Sequence, residues 1–168
     1  IPGSIRGRIG FSTDSRKKLV FEVYANKNLG FENYSNSLYT SLNISYKPTN
    51  YLVLTLNPSI SKSFSELQYI TKNTVENADK YIFGSIDRKT ISTSFRVNLN
   101  LSPDLTLQYW GQPFIATGLY YDHKYITDPM ADNYRDRFHT YTDDEISLDG
   151  DQYNVDENAD GKADYSFD

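Results

Sequence analysis

The chain has no cysteine, one methionine and one tryptophan among 168 residues. Without cysteine, neither a disulfide framework nor a thiolate metal site is open to it. Long hydrophobic runs are also missing. No stretch approaches the ~20 apolar residues of a membrane-spanning helix, so any bilayer crossing has to be made by strands. Aliphatic residues are sparse: hydrophobic residues total 38% and mean hydropathy is -0.61. A starting methionine and a signal segment are absent too. The chain opens in what reads as mid-strand, "IPGSIRGRIGF", as a piece of a longer polypeptide would.

Aromatic residues, by contrast, are abundant, with 15 Tyr and 9 Phe. Chains that stay disordered are poor in such residues, so the rings have to be buried or anchored somewhere. Charge is unevenly spread. Residues 143–168 hold ten acidic residues against one basic, Lys162, while residues 1–142 hold twelve acidic and sixteen basic. A mildly basic body with a strongly acidic tail suits a solvated or cation-binding end. It gives nucleic acid no phosphate-binding surface there.

The clearest pattern has a period of two. "SIRGRIGFST" sets Ile5, Gly7, Ile9 and Phe11 against Arg6, Arg8 and Ser12. "KLVFEVYAN", "SLYTSLNISY", "YLVLTLNPSIS", "TISTSFRVNLNL" and "LTLQYWGQPF" alternate in the same way. Six antiparallel strands are expected over residues 1–118, with short turns near 14–18, 47–50 and 102–104 built from Pro, Asp, Asn and Ser. Longer polar connections are expected at "NKNLGFENYSNS", at Lys62 to Lys89, and over residues 119–168. Short turns at one end and long connections at the other describe an all-β, up-and-down antiparallel meander.

Such a meander fits a soluble sandwich, with its apolar face inward, or a transmembrane barrel, with its apolar face toward lipid. Several runs reach the ~9–11 residues of a membrane strand. Their polar faces hold Ser, Asn, Thr and Gln, which suit a packed, hydrated interior. Tyr46 and Tyr51 bracket one turn while Tyr34 and Tyr39 sit at the other end, as aromatic girdles would. The barrel is the preferred expectation. Six strands do not close one, since bacterial barrels have roughly eight or more.

The segments "YIFGSIDRKT", "LSPDLTLQYWGQPF", "YYDHKY" and the Asp-rich "DENADGKADYSF" resemble, in that order, the C-terminal region of a Bacteroidota outer-membrane family. Its members join a carbohydrate-binding family 9-like module to a β-barrel domain of unknown function. The resemblance implies the outer membrane of a Gram-negative bacterium, contact with outer-membrane lipid, and glycan contacts through an N-terminal module that these residues do not include. It supplies no catalytic residue.

Five sets of residues are candidates for chemistry. Asp156, Asn158, Asp160, the Lys162 carbonyl and Asp164 stand at the spacing of a calcium loop, with Gly161 at its sharp turn, over residues 156–164. Phe167 falls where an EF-hand needs its bidentate Glu, so the reading is a shorter, structural calcium loop. The alternative is a hydrated acidic loop without an ion. The cluster Asp143, Asp144, Glu145, Asp149 and Asp151 is expected to be surface acidity that could join or repel that site, and nothing in its spacing marks the sugar cleft a glycosidase pair would require.

Among the expected interior charges, Arg6, Arg8 and Arg96 with Glu22 either bias the interior toward anions or pair with one another. Pairing is the preferred expectation. Trp110, beside Gly111 and Pro113, reads as a strand bend near the membrane interface rather than a sugar platform. His123 and His139 have no nucleophile arranged around them, so no enzyme is expected. The function read from the sequence is an outer-membrane pore, anchor or platform associated with a carbohydrate-binding module. The competing reading is a soluble or secreted, calcium-stabilised β-rich binding domain.

Overall fold

A computed structural model describes residues 2–75 and 78–168. The chain is all-β and antiparallel. Seven strands come first: β1 Ser4–Ser12, β2 Leu19–Gly30, β3 Ser35–Thr49, β4 Leu52–Val75, β5 Ala78–Ser102, β6 Leu105–Gly111 and β7 Phe114–Ile126. They are followed by β8 Phe138–Thr140, β9 Ile146–Asp149, β10 Gln152–Val155 and β11 Tyr165–Phe167. One sheet runs β1-β2-β3-β4-β5-β7-β8, with β6 paired to β5, and a second runs β11-β10-β9. The chain divides into two compact units. The first comprises residues 1–2, 65–86 and 119–168, and the second comprises residues 3–64 and 87–118.

In the second unit, the short turns fall where turn-forming residues sit. Asp14 closes the first one: its Oδ1 accepts from the Arg16 backbone N–H at 3.0 Å, and its carboxylate pairs with the Arg16 guanidinium. Register fixes which residues share a face. Phe11 lies opposite Val23, and Val23 opposite Leu42; Ile9 lies opposite Ala25, and Ala25 opposite Thr40. The same holds across β5 and β6, where Val97 faces Tyr109 and Leu99 faces Leu107. The alternation in the sequence therefore becomes one apolar and one polar face.

The first unit departs from the expected long loops. Residues 62–89, read as a polar connection, are mostly strand: β4 and β5 run for 24 and 25 residues. Their charges hid them from a hydropathy reading, because several are paired within the unit. Glu66 holds Arg135, Lys80 holds Glu157, and Lys72 holds Asp79 at 3.1 Å. Residues 119–168 are likewise not one loop. They complete β7, a seventh strand beyond the six expected, and add four strands of only three or four residues. Strands that short give too few alternations to read.

The core of the first unit is largely aromatic. Ile82, Tyr141, Val155 and Phe167 are buried together, with Ile70, Tyr125, Ile146, Tyr153 and Tyr165 packed around them. Tyrosines that weigh as polar in a hydropathy count thus form much of its interior.

Candidate functional site

The largest candidate surface is the two-faced sheet of the second unit. In β2 and β3, exposure runs opposite to that of a sheet covering a water-soluble core. Phe21, Val23, Leu38 and Tyr46 on the apolar face are exposed, while Val20 and Ser41 on the other are buried. Edge strand β1 continues the apolar face with Ile5, Ile9 and Phe11, which are 63%, 74% and 68% exposed. On β6, Leu105, Leu107 and Tyr109 are exposed too. Two shallow recesses dent this face. The larger is about 560 Å³ and lies among Val23, Leu42, Pro58, Ile60, Ile91 and Phe114.

The opposite face is a hydrogen-bonding surface. Ser59 and Ser92 hydroxyls meet at 2.8 Å, and Asn57 Nδ2 donates to Ser94 Oγ at 3.3 Å. Tyr24 packs against Tyr39 at a tilt, with centroids 5.7 Å apart. Tyr39 therefore lies on the polar face with Tyr24 and Ser41 rather than in an outer aromatic girdle, whereas Tyr46 and Tyr51 are exposed at the turn between β3 and β4.

The charged residues expected in the interior share this face but not one another. Glu22 Oε2 accepts from Asn43 Nδ2 at 2.9 Å. The Arg8 guanidinium lies 5.0 Å from the centre of the Tyr24 ring. Among the described residues no ion pair joins Glu22 to Arg6, Arg8 or Arg96. Arg96 instead stands opposite Trp110 in the β5–β6 register. That register places Trp110 on the polar face, just before β6 ends at Gly111 and β7 begins at Phe114. In this break the Thr93 N–H still donates to the Pro113 carbonyl at 3.1 Å. Gly111 fits because a Cβ there would lie 2.8 Å from the Phe95 ring.

The calcium-type segment is the hairpin loop between β10 and β11, closed by Asp164 N–H donating to the Val155 carbonyl at 2.7 Å. Its oxygens take backbone donors from within the loop. Asp156 Oδ2 accepts from Gly161 N–H at 2.8 Å, and Asn158 Oδ1 accepts from Asp160 N–H at 2.9 Å. Asp160 Oδ1 accepts from Lys162 N–H at 2.9 Å, and Asp164 Oδ2 from Glu157 N–H at 2.8 Å. Gly161 sits at φ +83°, a backbone state that glycine adopts without steric cost. Among the described residues no group of three or more His, Cys, Asp or Glu side chains is gathered to hold a metal. The loop oxygens are calcium-type in kind and spacing, but here they are turned toward N–H groups.

The second acidic cluster divides. Asp144 and Glu145 line one cleft of about 240 Å³ with Asp156, Gly161 and Lys162, while Asp149 and Asp151 flank Gly150 at the β9–β10 turn. Glu145 closes its own turn, accepting from Thr142 N–H at 2.7 Å and lying 3.0 Å from His139 Nε2. The Thr142 backbone donor, ahead of His139, holds its carboxyl below the ordinary value of 4.5.

A network that the sequence did not reveal ties the acidic tail down. Lys80 pairs with Glu157 and lies 4.9 Å from the Tyr125 ring centre and 5.4 Å from that of Tyr165. Tyr165 donates to Glu157 at 2.9 Å, and its hydroxyl meets that of Tyr141. Burial raises both phenols above their ordinary value of 10.0, so they stay protonated at neutral pH. His123 packs at a tilt against Tyr153 and Phe167, with ring centroids 4.3 and 5.6 Å away.

These features define a class: an antiparallel all-β meander whose second unit presents one exposed apolar face and one hydrogen-bonding face. The chain belongs to the family described as a domain of unknown function, DUF5916, which matches residues 1–158. No curated protein and no solved structure matches it.

Proposed function

We propose that the second unit is one wall of an outer-membrane β-barrel in a Bacteroidota-like Gram-negative bacterium. Its apolar face would meet lipid and its polar face would line a hydrated interior. The observation that carries this reading is the exposure on the paired strands β2 and β3: Val23, on the apolar face, is 42% exposed while Ser41, on the other face, is 8% exposed. In water, contiguous exposed apolar surface is a liability; in a bilayer it is the favoured state. Strand length supports the same reading, since β1 spans nine residues and β2 twelve, enough to cross a hydrocarbon layer when tilted. Among the described strands β1 and β8 are the two ends of an open path, so further strands would complete the barrel.

In this reading the short turns face the periplasm and the acidic tail faces the exterior. The domain acts as a pore, anchor or platform for a surface carbohydrate-binding module, without catalysing a reaction itself. The test is fractionation of cells expressing the full-length polypeptide. Recovery with outer-membrane porins on a sucrose gradient, resistant to urea extraction, is expected. Release by urea into the soluble fraction contradicts the reading and favours the soluble β-rich alternative.

Calcium is the cofactor we propose for the loop at residues 156–164, as a structural ion held by Asp156, Asn158, Asp160, the Lys162 carbonyl and Asp164. The support is the chemistry of the donors, oxygens at alternate positions around a glycine turn. Isothermal titration should give heat with calcium that is lost in Asp156→Ala and Asp160→Ala. Equal heats in all three proteins, or none in any, contradict it.

A further inference from the structure

We propose that the polar face of the second unit is an electropositive surface that selects anionic solutes, such as small carboxylates and inorganic phosphate. The inference rests on the barrel reading for calling that face an interior, but the sign of its field stands on the structure alone.

Alternation within the paired strands assigns Arg6 and Arg8 of β1, Lys47 of β3 and Arg96 of β5 to the polar face, together with Asn26, Ser45 and Trp110. Lys18, one residue before β2, continues the same alternation. On the described strands of this unit, Glu22 is the one acid on that face. Its carboxylate is engaged by Asn43 Nδ2 rather than by any of these cations.

Lys18 and Lys47 add a second, independent sign. The Lys47 N–H donates to the Lys18 carbonyl at 2.7 Å, and Leu19 lies opposite Tyr46 one step further on. The two lysines therefore stand directly across from each other. Like charges so placed are destabilising, and an anion held between them would relieve that repulsion. The Lys18 ammonium reaches only a neutral acceptor, the Pro48 carbonyl, at 3.3 Å. Arg6, Arg8, Lys18, Lys47 and Arg96 against one engaged carboxylate, among hydroxyls, amides and the Val20 and Trp110 side chains, leave a positive field with hydrogen-bond donors to receive oxyanions. Walls of one charge sign concentrate the opposite ion, and confinement strengthens the effect.

Residues 1–168 contribute no cysteine, so once any others in the full-length polypeptide are changed to serine, an introduced thiol is single. Asn98→Cys places one thiol on the polar face near Arg96, and Leu107→Cys places one on the apolar face. Each full-length variant is reconstituted in neutral phosphatidylcholine vesicles. It is then reacted with an anionic and a cationic methanethiosulfonate, each rate being normalised to that with a free model thiol. At Asn98→Cys the anionic reagent should react roughly tenfold faster at low salt. That ratio should fall toward one at about 0.5 M salt, and also in the Arg8→Gln/Lys47→Gln/Arg96→Gln background. A ratio at or below one, or one unchanged by the three substitutions, overturns the inference. Equal labelling of Leu107→Cys and Asn98→Cys instead contradicts the membrane reading, while the ratio at Asn98→Cys still reports the field.

Discussion

At the residue scale, a few positions carry more than their hydropathy suggests. Gly161 is set by backbone geometry: at φ +83° with open space around it, a side chain would meet no neighbour but would strain the backbone. Gly161→Ala should therefore cost about 1 kcal/mol, read as a lower melting temperature of the acidic tail. Glu157 is set by its partners, Lys80 and Tyr165. Glu157→Gln removes the charge beside Lys80 and should cost about 1–3 kcal/mol, seen as faster amide exchange in β10 and β11. Unchanged exchange there would mean that the aromatic packing alone holds the tail. Glycine at a sharp acidic turn was legible in the sequence, because its offset from the aspartates states the geometry. The Lys80–Glu157 pairing was not, because 77 residues separate the partners.

At the scale of elements, period-two alternation foretold the faces of β1, β2, β3 and β6 because each has a side to keep apolar. It ran out in the distal halves of β4 and β5, where Glu66 and Lys80 sit in ion pairs rather than in solvent. The tail strands depend on long-range packing: Val155 and Phe167 bury against Ile82, which no local pattern announces. Ile82→Ala should open a cavity there and cost about 2–5 kcal/mol, with the loss concentrated in the first unit. The tail also has an acid limit. Because Glu145 titrates below its ordinary 4.5 in the fold, its stabilisation is fully present above that value and is lost as pH falls through the lowered one. Tail unfolding followed by tyrosine fluorescence should show an acid transition from which Glu145→Gln removes the part below about pH 4.5 that this carboxyl contributes.

At the scale of the whole molecule, the sequence carried the architecture and the two-faced character of the sheet, and it left the function to the environment of each face. A sheet that exposes Ile5, Ile9, Phe11 and Leu107 while covering Ser41 and Val20 is what the proposed bilayer setting calls for, since contiguous exposed apolar surface marks an interaction site. Membership of a family without an assigned function leaves the choice to physics. The most direct measurement is site-directed spin labelling of the full-length polypeptide in lipid vesicles, with nitroxides at consecutive β2 positions from Phe21 to Ala25 and at Leu107. Oxygen should relax the labels at Phe21, Val23, Ala25 and Leu107, and a water-soluble nickel chelate those at Glu22 and Tyr24, alternating residue by residue. Uniform access of the nickel chelate to Val23 and Leu107 would contradict the account.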